Sequence, residues 1–262
     1  MAQFKKLYMG TNTKMYKTIA ETESFLSELS SLTADINREE LLLFVIPSFT
    51  TLDRARSCVP KQSVVLGAQN MCWEERGQFT GEISPLMLKE TGTEIVEIGH
   101  SERRHVFGET DDMENKKVLC ALEHDLTPLL CIGETADQKR LGLSDEVLRT
   151  QLKAGLYQVT EDKAKTLMVA YEPVWAIGVN GIPASAEYVA EKHGVIRAAL
   201  RELFGEETAD EIPILYGGSV NNANATELIV LPNVDGLFIG RSAWEAENFN
   251  KIIRDCIKAK TR

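Results

Sequence analysis

The chain has 262 residues, and 44% of them are hydrophobic, enough to bury a substantial core in one large domain or two small ones. Its formal net charge of -10 argues against general nucleic-acid or anionic-membrane binding, because both need a cationic surface. A small anionic substrate remains compatible if a lysine or backbone N–H groups supply local positive potential. The five scattered cysteines form no Cys-x-x-Cys pair, and no stretch is long enough to span a membrane. We therefore expect a cytoplasmic protein without a metal site.

Short apolar runs recur along the chain, and each stops at Gly, Asn, Pro or a polar cluster before a longer amphipathic stretch. This pattern predicts strands, in chain order, at residues 6–10, 41–47, 64–70, 94–100, 127–133, 166–172, 213–217 and 234–240. It predicts helices at residues 19–32, 112–124, 144–157, 185–204 and 245–258. A strand-then-helix unit that recurs through the chain is typical of a parallel sheet.

Eight such units close most naturally into a (β/α)8 barrel, which we predict as a single domain over residues 1–262. The competing architecture is a doubly wound open sheet. The first predicted strand is not followed by the Gly-x-Gly-x-x-Gly turn of dinucleotide-binding proteins, and this favours the barrel.

One carboxylate, Glu172, stands where the sixth predicted strand stops, with Pro173 and Trp175 immediately behind it. A glutamate on such an edge loses water when the following segment folds over it. Desolvation raises its pKa toward the range that proton abstraction at neutral pH requires. The alternative is a solvated carboxylate at an ordinary strand end.

The active residues of a (β/α)8 barrel lie at the carboxyl ends of its strands. The candidate residues at these ends are Asn12, Lys14, His100, Glu102, Glu172, Ser219, Gly240 and Arg241. Taken singly, each has an ordinary interpretation, such as a solvated lysine, a packed histidine or a turn. A barrel brings them to one face, which predicts a single chemical site.

These motifs resemble the triosephosphate isomerase family across nearly the whole chain. The matching segments, in the family's order, are Asn12-x-Lys14 and residues 67–70, 79–82, 99–104, 131–134, 171–178 and 216–220. The resemblance implies an isomerase that moves a carbonyl group through an enediolate and needs no cofactor and no metal.

The same resemblance assigns roles to individual residues. Glu172 would be the base that shuttles a proton between adjacent carbons, and His100 the neutral imidazole that polarises the carbonyl. Lys14 and Asn12 would face the substrate oxygens, with Glu102 beside the lysine.

The resemblance also implies a closing lid, a phosphate site and a homodimer. The lid would consist of Pro173, Val174, Trp175, Ala176, Ile177, Gly178, Val179, Asn180 and Gly181. Backbone amides of Gly178, Ser219 and Gly240 would bind the phosphate. The third loop, with Phe79, Thr80 and Glu82, would dock into a second subunit.

Three departures from the family pattern bear on the substrate. Thr13 stands where the family usually has tryptophan, residues 179–181 replace a Thr-Gly pair, and Arg241 replaces the second of two glycines. Arginine adds a side chain where the backbone is expected to approach a phosphate closely.

Residues 45–50, 178–185 and 235–244 are more similar to the erythrulose-phosphate isomerase branch. That branch interconverts L-erythrulose 1-phosphate and D-erythrulose 4-phosphate in erythritol breakdown. The alternatives are the triose phosphates of glycolysis and gluconeogenesis, or a catalytically silent scaffold, for which the Lys14, His100 and Glu172 set would have no use.

Overall fold

The computed structural model of the chain describes residues 6–178 and 181–261. Eight parallel strands, each paired with the next and the last with the first, close into a barrel. The strands are β1 (Leu7–Asn12), β2 (Leu41–Ile46), β3 (Val65–Ala68), β4 (Ile95–Ile98), β5 (Thr127–Ile132), β6 (Met168–Tyr171), β7 (Ile214–Tyr216) and β8 (Gly236–Ile239). The predicted (β/α)8 barrel is confirmed.

Helices of very different lengths connect the strands. They are α1 (Ile19–Leu32), α2 (Leu52–Cys58), α3 (Pro85–Glu90), α4 (Ser101–His105), α5 (Asp111–Glu123), α6 (Ala136–Arg140), α7 (Ser144–Gly155), α8 (Glu161–Ala164), α9 (Ala186–Glu211), α10 (Ala225–Ile229) and α11 (Ala246–Lys260). Within the described residues, no helix is both long and apolar enough to cross a membrane.

The long helices match the prediction within a few residues, with one exception. Helix α1 begins and ends where the pattern placed it, and Thr18 and Glu21 form a capping box at its start. Helix α9 was predicted to end at Phe204, and Gly205 does interrupt it there with non-helical φ and ψ angles of 78° and 169°, but an unpredicted second helix follows across this kink to Glu211. The shorter helices of four to seven residues were not predicted, since so few turns show no periodic pattern.

The strand bounds also differ from the prediction. Strand β1 was expected to stop at Gly10, but Thr11 and Asn12 continue its pairing with β2, opposite Val45 and Ile46. Several other strands are shorter at their ends than predicted, because the chain leaves the ladder as it turns into the loops. The longer β1 carries Asn12 to the carboxyl face of the barrel.

Two apolar layers hold the barrel together. One lies between the strands and the surrounding helices. The other fills the barrel with Phe44, Ile46, Ile95, Leu129, Cys131, Met168, Ala170, Leu215 and Phe238. Gly10 is required beside this layer, because a Cβ there would lie 2.0 Å from the ring of Phe44. Since the interior is filled, a ligand can bind only above it, at the strand ends.

Candidate active site

Glu172 lies directly after β6 and turns its side chain into the mouth of the barrel. Met168 and Ala170 face the barrel interior, and the two-residue alternation of the strand continues to Glu172. Glycines beyond both neighbouring strands make room for it. A Cβ at Gly217 would lie 2.6 Å from Glu172 Cγ, and one at Gly133 would lie 2.0 Å from its carbonyl oxygen. As a result, only 5% of Glu172 is exposed.

This enclosure makes the carboxyl group a stronger base. Burial raises the pKa of Glu172 to about 7, against the opposing effect of the positive charge of Lys14. A carboxyl group with this pKa is still partly ionised at neutral pH and can accept a proton from a weak acid. Its Oε2 atom has no hydrogen-bond donor among the described residues and lies 3.6 Å from Nε2 of His100.

His100 follows β4 at a turn that redirects the chain. Gly99 has a φ of +76°, in the left-handed region that favours glycine, and a Cβ there would lie 2.7 Å from Arg104 Nη2. The turn brings the imidazole to the cavity, where Nδ1 accepts a hydrogen bond of 3.1 Å from the backbone N–H of Glu102. In the neutral ring the proton is therefore on Nε2, the atom that faces Glu172.

The imidazole of His100 is neutral at physiological pH. Burial, together with the nearby positive charge of Lys14, lowers the pKa of His100 to about 4. A neutral imidazole can donate its Nε2 proton to a developing oxyanion and then recover a proton. The catalytic acid is therefore uncharged when the reaction begins.

Lys14 has a backbone φ of +50°, which is uncommon for a residue other than glycine. Its N–H donates to Asn12 Oδ1 at 2.6 Å, and its carbonyl oxygen accepts bonds of 2.8 Å from Ser48 Oγ and Gln69 Nε2. Such strain persists where the surroundings enforce it, and it is common in active sites. The side chain enters the cavity, and Nζ lies 2.6 Å from Glu102 Oε1.

Asn12 has three hydrogen-bonding neighbours besides Lys14. Gln69 Nε2 donates to its Oδ1 at 3.0 Å, Trp244 Nε1 donates to its carbonyl oxygen at 2.9 Å, and its own Nδ2 donates to Glu97. The sequence analysis missed Trp244 and Glu97. Glu97 could have been noticed as a charged residue inside an apolar strand, two positions from the inward-facing Ile95.

The predicted lid begins with a short 3-10 helical turn at Val174–Ala176. Trp175 Nε1 donates to Glu134 Oε1 at 2.8 Å, and the hydroxyl group of Tyr188 donates to the same oxygen at 2.8 Å. Ser219 Oγ donates to the carbonyl oxygen of Ala176 at 2.9 Å. The first half of the segment is thus bound to the barrel by side chains of several elements.

The second half of the predicted lid is described only at Gly178 and Gly181. Gly178 is exposed and has a φ of +86°. Val179 and Asn180 lie outside the described residues. The chain resumes at Gly181, and the N–H of Ile182 donates to the carbonyl oxygen of Trp175 at 3.1 Å.

A single cavity of about 440 Å³ joins these groups. Its lining includes all the predicted catalytic residues, Asn12, Lys14, His100, Glu102 and Glu172, and all the predicted phosphate contacts, Gly178, Ser219, Gly240 and Arg241. Arg241 is exposed, and its guanidinium group forms no ion pair with any residue of the described chain. Lys14 and Arg241 thus put positive charge at the cavity of an acidic protein, as the charge analysis required of an anion site.

The residues predicted for subunit contact lie outside this cavity. Phe79 is 41% exposed, Thr80 and Glu82 are exposed, and the Phe79 ring lies 6.3 Å from that of Trp73. The same loop begins near Gln69, whose amide binds Asn12 and Lys14.

Below the cavity, Glu97, Cys131 and Glu172 have polar atoms within 4.8 Å of one another. Burial raises the pKa of the Cys131 thiol well above its usual range, so the sulfur retains its proton. Asn12 also points an N–H at Glu97. A thiol and an N–H donor fit a hydrogen-bonded cluster and do not fit a cation site.

Comparison with known proteins agrees with this geometry. The profile of the family "Triosephosphate isomerase" matches residues 7–256. A protein of Rhizobium etli named L-erythrulose-1-phosphate isomerase is 49% identical over 249 residues, which cover 94% of this chain and 91% of the relative. Proteins of the same name from Brucella abortus biovar 1 and Rhizobium meliloti are 46% and 45% identical, and at least 96% of each chain is covered. The chain therefore belongs to the triosephosphate isomerase family of isomerases.

Proposed function

We propose that this chain is a cofactor-free sugar-phosphate isomerase in which Glu172 is the catalytic base. The observation that carries the proposal is the pairing of a buried carboxyl group with a neutral imidazole, whose nearest atoms lie 3.6 Å apart in one cavity. These are the two groups that a carbonyl migration needs, since one must remove a C–H proton while the other protonates an oxygen.

In the proposed reaction, Glu172 removes the proton from the carbon next to the carbonyl group. The electron pair of that C–H bond forms the enediolate, and His100 donates its Nε2 proton to the carbonyl oxygen. His100 then recovers a proton from the neighbouring hydroxyl group, and Glu172 returns its proton to the former carbonyl carbon. Lys14 and Asn12 stabilise the negative charge on the oxygens, and each well-placed donor contributes roughly 3 kcal/mol to lowering the barrier.

The phosphate group is proposed to bind in the same cavity. Backbone N–H groups of Gly178, Ser219 and Gly240 donate to it, and the guanidinium group of Arg241 adds a charged contact. The lid, Pro173 to Gly181, closes over the substrate. Closure excludes water from the enediolate, which in the open site can expel its phosphate.

The proposed substrate pair is L-erythrulose 1-phosphate and D-erythrulose 4-phosphate, with a role in erythritol breakdown. Support comes from the name of the relatives and from their similarity over almost the whole chain. The carbonyl group moves between the second and third carbons of the four-carbon chain. This is the triose reaction on a substrate with one additional hydroxymethyl group.

The enzyme is further proposed to act as a homodimer in the cytoplasm. Phe79 in the third loop is 41% exposed, and Met15, directly after Lys14, is 93% exposed. A second subunit covering these apolar side chains also stabilises the strained backbone at Lys14. The five cysteines are all free thiols, which agrees with a reducing compartment.

The proposal is tested by measuring kcat/KM of the purified protein on L-erythrulose 1-phosphate and on glyceraldehyde 3-phosphate. We expect a value at least about 100-fold higher for the four-carbon sugar, because differential binding in the transition state sets such ratios. The Glu172→Gln variant, purified in the same way, reports any contaminating isomerase of the expression host. A higher value for glyceraldehyde 3-phosphate reverses the substrate assignment, and turnover of neither sugar refutes the proposed function.

A further inference from the structure

Glu97 is a second buried glutamate beneath the proposed active site, and it is not part of the predicted catalytic set. It lies on β4 two residues after the inward-facing Ile95 and is 1% exposed. A carboxyl group in the filled interior of a barrel is costly unless its polar atoms are bonded. Its contacts therefore indicate what it does there.

One contact of Glu97 is with the amide of Asn12. The orientation of that amide is determined, because its Oδ1 accepts hydrogen bonds from the N–H of Lys14 at 2.6 Å and from Gln69 at 3.0 Å. Its Nδ2 is then the group that faces Glu97, and it donates one N–H to Glu97 Oε2. The other N–H of Asn12 remains for the cavity. Glu97 therefore aims Asn12 at the substrate oxygens.

The second polar neighbour of Glu97 is the carboxyl group of the proposed base. The polar atoms of Glu97, Glu172 and Cys131 lie within 4.8 Å of one another, and Cys131 Sγ is 3.8 Å from Glu97 Oε1. The charged groups that act on Glu97 are Glu172, Lys14 and Glu102. Lys14 is 2.6 Å from Glu102, so its positive charge is shared among the carboxyl groups of Glu102, Glu97 and Glu172.

These surroundings cannot accommodate two ionised carboxylates side by side. Burial raises the pKa of Glu97 well above its usual range, the charge of Glu172 raises it further, and Lys14 and Asn12 oppose these effects only in part. Of the two groups, Glu172 borders the cavity, whereas Glu97 lies below it. The deeper group is the one that keeps a proton.

We propose that Glu97 is a positioning residue that remains protonated at neutral pH, holds Asn12 in place and leaves Glu172 as the only ionised member of the pair. The inference rests on the proposed isomerase function and adds a residue to that site. Glu97 touches neither the cavity nor the substrate, so it acts only through Asn12 and Glu172.

The test compares the variants Glu97→Gln and Glu97→Leu with the wild type in the pH dependence of kcat/KM on L-erythrulose 1-phosphate. Glutamine is neutral and keeps the acceptor for Asn12. We therefore expect the apparent pKa of the acidic limb of the glutamine variant to lie within about 0.3 pH unit of the wild-type value. Its kcat should lie within about threefold of the wild-type kcat. Leucine removes the acceptor, and we expect kcat/KM to fall by about 30-fold. Titration of the substrate phosphate is common to all variants and cancels in the comparison.

Glu114→Gln is the matched control. Glu114 is a fully buried glutamate on α5 whose pKa burial raises to about 7, but it does not border the cavity. Its variant should leave the profile unchanged. If Glu97 is ionised in the wild type, its glutamine variant loses a negative charge facing Glu172. The apparent pKa of the acidic limb then falls by about one pH unit or more. That result, or wild-type activity of the leucine variant, overturns the proposal.

A second measurement is independent of turnover. At about pH 8, where Glu172 and Glu114 are mostly ionised, the infrared difference spectrum of wild type minus Glu97→Gln should contain the C=O band of one protonated carboxyl group. Absence of this band in the free enzyme overturns the inference even when the enzyme is active. If the wild type converts neither sugar phosphate but the band is present, the proposed function fails while the proton on Glu97 is supported.

Discussion

At the scale of single residues, the burial that makes Glu172 a stronger base also destabilises the folded chain when Glu172 is ionised. Gly133 and Gly217 let the side chain lie where water is excluded, and burial raises its pKa from 4.5 to about 7. The folded chain therefore binds this proton more tightly than the unfolded chain does. Below about pH 4.5 both states are protonated and burial has little cost, whereas above about pH 7 the folded chain holds a buried carboxylate.

Replacing this carboxyl group should therefore trade activity for stability. At about pH 8, Glu172→Gln should abolish turnover and raise the free energy of unfolding by about 2 to 3 kcal/mol, because it removes a buried charge. At about pH 4 the stability gain should disappear. Denaturant unfolding of both proteins at the two pH values, at one protein concentration, measures the effect. A variant that is less stable than the wild type at about pH 8 would contradict it.

At the scale of elements, the loop after β6 begins with a segment that is bound to the barrel and then reaches the exposed Gly178. Trp175 binds Glu134, and the ammonium group of Lys139 lies 3.4 Å from the centre of the indole ring. Gly178 follows with a φ of +86°, and apart from its chain neighbours no atom of the described residues lies within 4 Å of the position that a Cβ would take. A side chain at this position has room, so the cost of substitution lies in the backbone conformation.

We expect Gly178→Ala to hinder closure of the proposed lid. Its kcat/KM should fall by about tenfold, and the inorganic phosphate released per turnover should rise, because an exposed enediolate expels phosphate. Gly142→Ala is the control for strain alone. Gly142 has a φ of +74°, has similar open space around its Cβ position, and does not border the cavity. Equal phosphate release from both variants would argue against a lid at Gly178.

At the scale of the whole molecule, the barrel brings two cationic side chains to its carboxyl face, beside the carboxyl groups of Glu102 and Glu172. The chain carries a net charge of -10, yet Lys14 and Arg241 both border the cavity. The loop that supports Lys14 also exposes Phe79. Assembly and catalysis are therefore coupled in the proposed dimer, because the same loop serves both.

Phe79→Asp tests this coupling. A charge in the proposed interface should give monomers in sedimentation, with kcat lowered by about tenfold or more, since an interface does not tolerate an unpaired buried charge. Tyr157→Asp is the control, because Tyr157 is 63% exposed and follows the end of α7. A fully active monomer of the Phe79 variant would show that the site is complete in one subunit.

Much of this arrangement follows from local patterns. The alternation of apolar runs with amphipathic stretches predicted the barrel, and the polar residues at the ends of the strands predicted which side chains share a cavity. Thr18 and Glu21, which lie within four consecutive residues, form the capping box that starts α1. Such features depend on residues close in the chain, so the sequence contains them directly.

Other features depend on contacts between distant segments. The pairing of Thr11 and Asn12 with β2 extended β1, and the hydrogen bond from Asn12 to Glu97 joins residues 85 positions apart. Which of two buried carboxyl groups keeps a proton depends on depth, on neighbouring charge and on the amide that faces it. The amino-acid order by itself determined the barrel and most members of its candidate site, but not Glu97 or Trp244. Only the tertiary structure decided their protonation and orientation, because burial and long-range hydrogen bonds exist only once the barrel has closed.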